Sequence, residues 1–130
     1  MDINTHEKIS GRLVGKAVEV ETGVRAIAEL VATEEMAADA SGLIHGGFTF
    51  GLADYAAMLA VNHPNVVLGS AQTKFTAPVK VGEKMRAEAT ITKTEGRKSE
   101  VNVEVKVNEK KVLLATLLCF TLDQHILSKA

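Results

Sequence analysis

Gly47-Phe48-Thr49-Phe50-Gly51-Leu52-Ala53-Asp54-Tyr55-Ala56-Ala57-Met58-Leu59-Ala60-Val61-Asn62 is the stretch of this 130-residue chain that reads as one long helix. Phe48, Leu52, Tyr55 and Leu59 recur at offsets of four, three and four, the spacing of a single helical face. Asn62-His63-Pro64 closes it, because proline lacks the N–H that would continue the ladder and pushes the preceding residue out of helical geometry. Gly51, Ala53, Ala56, Ala57 and Ala60 make the helix slender, which predicts that something wraps closely around it. Gly51 in particular is expected at a close backbone approach, since a mid-helix glycine costs about 1 kcal/mol relative to alanine.

Outward from the helix the chain alternates between strand-like runs and turns. Downstream, residues 66–75, 83–93, 99–107 and 112–122 read as strands, separated by Ala77-Pro78, Glu95-Gly96 and Asn108-Glu109-Lys110. Val101, Val103, Val105 and Val107 alternate with polar residues, so one face of that strand is buried and the other is wet. The apolar run 112–120, broken only by Thr116, predicts a strand buried on both faces. Upstream, 12–20 and 24–32 form a hairpin on Glu21-Thr22-Gly23, after a frayed or short helical lead-in of ten residues. Residues 34–42 read as a loop. The whole predicts an α+β architecture over residues 1–130, a single domain in which an antiparallel sheet of about six strands is wrapped around one long helix.

Composition narrows the function classes. With 46% hydrophobic and 24% charged residues the chain has an ordinary globular mixture, and a net charge of -1 offers no general attraction to nucleic acid. The longest apolar run is far below the roughly 20 residues a membrane helix needs. The single cysteine, Cys119, has no internal disulfide partner, and the polar opening Met1-Asp2-Ile3-Asn4-Thr5 has no signal-peptide character, so a cytoplasmic location is expected. His6, His63 and His125 show no metal-ligand spacing with one another or with Cys119, and neither a metal nor a cofactor is expected.

Chemistry-bearing residues gather at the helix. Gly46 and Gly47 stand at its start, where two readings are open: a tight turn into a buried helix, or a pair of unpaired N–H groups that cradle a developing oxyanion at the positive end of the helix dipole. Asp54 is a lone carboxylate within an otherwise apolar helix. It is either solvated or paired with a lysine, or it acts as nucleophile or general base. Together the two elements are the minimum equipment for cleaving an ester or thioester.

The chain resembles the hotdog-fold acyl-CoA thioesterases, in the branch that includes the phenylacetate-pathway thioesterase. The resemblance rests on Asp39-Ala40-Ser41-Gly42-Leu43-Ile44-His45-Gly46-Gly47, on Leu52-Ala53-Asp54, and on Pro78-Val79-Lys80-Val81-Gly82-Glu83, and it spans roughly residues 39–122. It implies hydrolysis of a small or medium acyl-CoA to free acid and coenzyme A, with Gly46 as the oxyanion donor and Asp54 as the group acting on the thioester. Coenzyme A enters only as part of the substrate. An asparagine common in the branch is Asp39 here, at a place where the family's amide helps hold a water or the thioester carbonyl. Residues 66–91 also resemble the acyl-CoA-sensing hotdog domain of the bacterial fatty-acid repressor, which implies a non-catalytic binding module as the alternative. Asp54 separates the two readings.

Helix geometry adds a constraint. Gly47 and Asp54 are about 10 Å apart along a helix rising 1.5 Å per residue, whereas a reacting carbonyl must lie about 3 Å from both oxyanion donor and attacking group. Asp54 of one subunit is therefore expected to serve the Gly46 end of another across a two-fold axis. A homodimer is the expected assembly, alone or doubled into a homotetramer. His45 is read as fixing the loop through ring hydrogen bonds in preference to a direct catalytic role. The acyl group is expected near Tyr55, Met58 and Leu59, with Ser70 and Thr73 orienting water or the acyl group. Arg97 and Lys98, at a turn after Gly96, are the favoured phosphate contacts, ahead of Lys74, Lys80 and Lys84.

Overall fold

The computed structural model describes residues 1–128. Six strands, β1 (Lys16–Glu21), β2 (Arg25–Val31), β3 (Val66–Phe75), β4 (Lys84–Glu95), β5 (Lys98–Val107) and β6 (Lys110–Thr121), accompany one long helix, α1 (Gly46–Val61). They form a single sheet in the order β1-β2-β4-β5-β6-β3, and every neighbouring pair is antiparallel. This is the α+β hotdog arrangement expected from the sequence. The alternation in β5 works as predicted: Val101, Val103, Val105 and Val107 are buried while Asn102 is exposed. Their side chains join Leu52, Met58, Leu59, Met85, Leu113 and Leu117 in one core between sheet and helix. Burial of such side chains contributes about 1.5–3 kcal/mol each, which is what holds the helix to the sheet.

The helix begins one residue before the expected position, because His45 is extended (φ -63°, ψ 128°) and leaves Gly46 as the first helical residue. It ends as the proline signal requires, through a device the sequence reading did not foresee. Asn62 adopts the left-handed conformation (φ 52°, ψ 43°) and its N–H returns to the Met58 carbonyl at 2.7 Å. Its buried side chain then accepts from the Asn4 N–H (2.7 Å) and donates to the Asp2 carbonyl (2.8 Å) and to Thr22 Oγ1 (2.8 Å). One amide thus ties the helix end to the N-terminal segment and to the β1–β2 turn. Asn62→Ala would strand these partners and place alanine in left-handed geometry, and a loss of about 2–4 kcal/mol in urea denaturation is the expected outcome.

Four expectations need correction. The first ten residues are not a helical lead-in; they form a strap of turns laid across the end of α1, with Thr5 buried. The first strand starts at Lys16 and not at Arg12, since 11–14 form a turn in which Ser10 Oγ accepts the Leu13 N–H (3.1 Å) and the Ser10 carbonyl accepts the Val14 N–H (2.9 Å). Gly15 follows at φ +142°, a backbone setting that favours glycine. β6 is buried on one face only: Val112, Leu113, Ala115, Leu117 and Cys119 face the core, whereas Leu114, Thr116, Leu118 and Phe120 are half-exposed on the convex side. Finally, Gly51 is not squeezed by its own chain, since a Cβ added there would meet nothing within 4 Å.

β3 is an edge strand, paired to β6 on one side only. Ala71, Thr73 and Phe75 lie opposite the buried Leu117, Ala115 and Leu113, hence on the helix-facing side of the sheet. They project past the helix, and Phe75 is 58% exposed.

Candidate active site

Two loops fix the helix N-terminus. The Ile44 N–H donates to the Val79 carbonyl and the Val81 N–H to the Gly42 carbonyl, both at 2.9 Å, so that 42–44 is zipped onto 79–81. Gly82 (φ +93°) turns the second loop back, and its N–H reaches the Ala32 carbonyl at 2.8 Å. The Glu83 carboxylate accepts the Lys80 N–H at 2.7 Å. The Pro78–Glu83 pattern is therefore a clamp that holds the Gly46 end of α1 against the sheet.

At that end, the Gly46 and Gly47 N–H groups find no acceptor among the described residues, as the first N–H groups of a helix do by construction. They open beside a cavity of about 390 Å³ lined by Ile44, Gly46, Thr49, Phe75 and Pro78. Phe75 leans over Gly46 so closely that an added Cβ would sit 3.3 Å from its ring. The sequence reading did not single out Phe75; an exposed aromatic at the end of a strand, before Ala77-Pro78, was the available signal. The His45 ring makes no hydrogen bond among the described residues; it packs edge-on against Phe48 (6.2 Å between centroids) and shields Gly47. Asp39 folds into its own loop, where Oδ1 accepts the N–H groups of Ser41 (3.0 Å) and Leu43 (3.3 Å).

Two turns along α1, Asp54 Oδ1 is buried without a hydrogen-bond partner. Burial raises the Asp54 carboxyl above the ordinary carboxylate range, an effect partly offset by His6 on the N-terminal strap. The ionisable neighbours are His6, lowered by burial and raised by Asp54, and Cys119 on β6, whose thiol is pushed up to about 12 by burial and then by the Asp54 charge. A thiol in that setting stays protonated and is no nucleophile at neutral pH. His6 entered the sequence reading only as a rejected metal ligand; the fold brings its ring beside Tyr55.

The remaining candidates are dispersed. Tyr55 is buried beneath the His6 ring (6.3 Å), and Met58 and Leu59 belong to the core. Ser70 is exposed on β3, whereas Thr73 Oγ1 is buried without a partner. Lys84 is engaged by Glu29 at 3.0 Å, while Lys74 and Lys80 stay exposed near the Gly46 end. Arg97 pairs with Asp123 at 2.5 Å in a solvent-exposed contact, beside Lys98. Phe75 opposes Leu113 and Lys98 opposes Phe120, so along β6 the Arg97–Lys98 turn lies about 23 Å from the Gly46 end of the same chain. A larger groove of about 510 Å³, on the β3–β6–β5 part of the sheet, shares only Thr73 and Lys74 with these candidates. Among the described residues no group of His, Cys, Asp or Glu is placed to hold a metal ion, and no helix is long and apolar enough to cross a membrane.

A six-stranded antiparallel sheet around one helix, whose first N–H groups are free and which carries a carboxylate two turns on, is a hotdog fold. Comparison with known proteins agrees with it. Residues 41–114 match the thioesterase superfamily, and the chain belongs to that family. Uncharacterized protein PH1136 from Pyrococcus horikoshii is 50% identical with a TM-score of 0.95, over 98% of this chain and 97% of that one. An asparagine-to-aspartate mutant of phenylacetic acid degradation protein PaaI from Thermus thermophilus is 30% identical with a TM-score of 0.77, over 85% of this chain and 95% of that one. Among curated relatives, a methylthioribose-1-phosphate isomerase of Aquifex aeolicus is 50% identical over 86% of this chain, which spans only 24% of that protein. The transcription factor FapR of Caldanaerobacter subterraneus is 29% identical over 93% of this chain, which spans 60% of it.

Proposed function

We propose that this chain is an acyl-CoA thioesterase, hydrolysing a small or medium acyl-CoA at a site shared between two subunits. The observation that carries the reading is Asp54: a carboxylate with one oxygen buried and unpartnered, on the same helix whose first N–H groups are free. Buried polar atoms without partners are rare enough to need a reason, and an acidic group awaiting a reacting water or carbonyl supplies one. The Gly46 N–H receives the carbonyl oxygen as it gains charge. Asp54 either takes a proton from water as that water's oxygen bonds to the carbonyl carbon, or attacks the carbon itself and is freed by water afterwards. In both courses the C–S bond breaks, the thiolate leaves and is protonated, and the acid is released.

Gly46 and Asp54 are about 12 Å apart along the helix, so one chain does not present both to one carbonyl. The uncovered helix-facing strip of Ala71, Thr73 and Phe75 at an open sheet edge, together with the free space over Gly51, suits a second copy packed with its helix antiparallel. Such a pairing brings the partner's Arg97–Lys98 turn toward the Gly46 end, where the phosphates of coenzyme A need cations.

The likeness to FapR favours a second reading, a non-catalytic acyl-CoA-binding module. Thiol release from a panel of acyl-CoAs, with Asp54→Ala as control, separates them: turnover lost in the variant supports hydrolysis, whereas tight binding without turnover supports the module. The shared site has its own measurement. Asp54→Asn and Gly46→Pro chains, each inactive, are expected to recover about a quarter of wild-type activity when refolded together in equal amounts, because half the dimers are mixed and each mixed dimer holds one intact site. Recovery absent from verified mixed dimers would place both groups in one subunit.

A further inference from the structure

Tyr55, Met58 and Leu59, where the sequence places the acyl group, are only 5%, 1% and 0% exposed and belong to the packed core. An interior packed at that density has no spare volume for a chain of carbons. Open space lies instead at the helix start, in the cavity of about 390 Å³ beside the free Gly46 N–H. Its apolar walls include Ile44, Phe75, Pro78 and Val79, and its two polar side chains are Thr49 and Thr76. Neither hydroxyl has a proton left for a ligand, since Thr49 Oγ1 donates to Met85 Sδ (3.5 Å) and Thr76 Oγ1 to the Lys111 carbonyl (2.7 Å). Among the described residues no charged side chain lines the space; Lys74 and Lys80 are exposed near this end but are not part of its walls. Those walls are fixed in advance, because the Ile44 N–H donates to the Val79 carbonyl (2.9 Å) and the Thr76 N–H to the Val112 carbonyl (3.0 Å).

Phe75 stands closest to the chemistry. Its ring edge is 3.3 Å from the position of a Cβ on Gly46, and so at most about 6 Å from the Gly46 nitrogen once the two intervening bonds are added. A carbonyl oxygen accepting that N–H sits about 3 Å from the nitrogen, which leaves the carbons of the acyl group within contact range of the ring.

We infer that this cavity is the acyl subsite, that it takes a short, uncharged hydrocarbon acyl group, and that Phe75 determines specificity by limiting bulk next to the carbonyl. The inference deepens the thioesterase reading above and rests on it for the place of the carbonyl. A carboxylate at the far end of the acyl chain would be stripped of water with no cation in the walls and no threonine proton to replace it, a setting that an isolated charge tolerates badly. A hydrocarbon end meets apolar surface and forfeits nothing polar. Next to the carbonyl, a methylene passes along the Phe75 ring, whereas a quaternary carbon runs into it.

The test reads affinities by calorimetry on the full chain carrying Asp54→Asn, so that no substrate is consumed, with butyryl-, succinyl- and pivaloyl-CoA and with coenzyme A itself. Succinyl-CoA puts a carboxylate where butyryl-CoA has its terminal methyl, and its Kd is expected to be weaker by on the order of 10²-fold. This comparison needs no change at Phe75. Adding Phe75→Ala is expected to reduce the preference for butyryl- over pivaloyl-CoA about tenfold, and adding Phe75→Trp, which narrows the space, to increase it. Phe75 is 58% exposed, so neither change disturbs the core, and coenzyme A is expected to bind both variants as it binds the parent. Succinyl-CoA bound as tightly as butyryl-CoA, a Phe75 effect equally large on coenzyme A, or no binding of any acyl-CoA overturns the inference. Thiol release by the wild type decides the hydrolytic reading separately, since these affinities are measured without turnover.

Discussion

Asp54→Asn is expected to lower kcat/KM for any acyl-CoA the wild type hydrolyses by about 10²–10⁴-fold, the usual worth of a positioned general base, and to make the folded protein more stable at neutral pH. Asparagine has nearly the same shape, so the core around it is not disturbed. The stability gain follows from the direction in which burial moves the carboxyl. Its folded value lies above its unfolded value, so the folded state holds the proton more firmly. Below the ordinary carboxylate range both states are protonated and the wild type suffers no penalty. As pH rises from that range through the folded value, the unfolded state ionises more readily and the wild type loses stability, then keeps a constant deficit above it. The advantage of Asp54→Asn therefore grows across this window and levels off. A gain of about 0.5–2 kcal/mol in urea denaturation at pH 7, vanishing at low pH, is the expected size for relief of an active-site compromise. Equal stability at both pH values would show that the carboxylate is well solvated, and the case for its chemistry would weaken accordingly.

Gly46→Pro is expected to cost about 10²–10³-fold in kcat, the usual effect of removing one oxyanion donor. A backbone N–H is hard to delete, but Gly46 is the first residue of the helix, the position that best tolerates proline. His45 is already extended at φ -63° and ψ 128°, the conformation preferred before proline. Helix content is thus expected to survive the loss of the N–H. The ring atoms need room beside Phe75, so Gly46→Ala is the control: it retains the N–H but also places a Cβ 3.3 Å from the Phe75 ring. If alanine is as damaging as proline in kcat, crowding by Phe75 and not loss of the donor is the cause.

What the sequence made legible was periodic or punctuated. The 3.6-residue spacing of Phe48, Leu52, Tyr55 and Leu59, the stop at Pro64 and the alternating valines of β5 led to α1 and β5 within one residue of those observed. Errors arose where a local pattern is compatible with more than one surrounding. Leu114, Leu118 and Phe120 look like core in a one-dimensional reading, but which face of β6 meets α1 is decided by pairing with β3 and β5. Gly51 reads as a close approach, yet a Cβ there would meet nothing within 4 Å in its own chain. In the site, Asp54 and the glycine pair were visible because a lone carboxylate in an apolar helix and a Gly-Gly at its start are locally anomalous. The place of His6 beside Tyr55 was invisible, since it comes from a strap whose docking depends on Asn62, a residue read only as part of a stop signal.

The edge position of β3 has a consequence for aggregation. A ten-residue strand with one free edge is a template on which any extended segment can add, and repeated addition gives fibrils. Register with β6 slips between Leu68 and Ser70, and the Phe120 ring fills the space where a side chain on Gly69 would be, 2.3 Å from an added Cβ. The unbroken row of donors and acceptors is thereby cut to the stretch from Ser70 to Phe75. A short edge accepts a partner in few registers, so the same irregularity that bends the strand limits its stickiness to a bounded assembly.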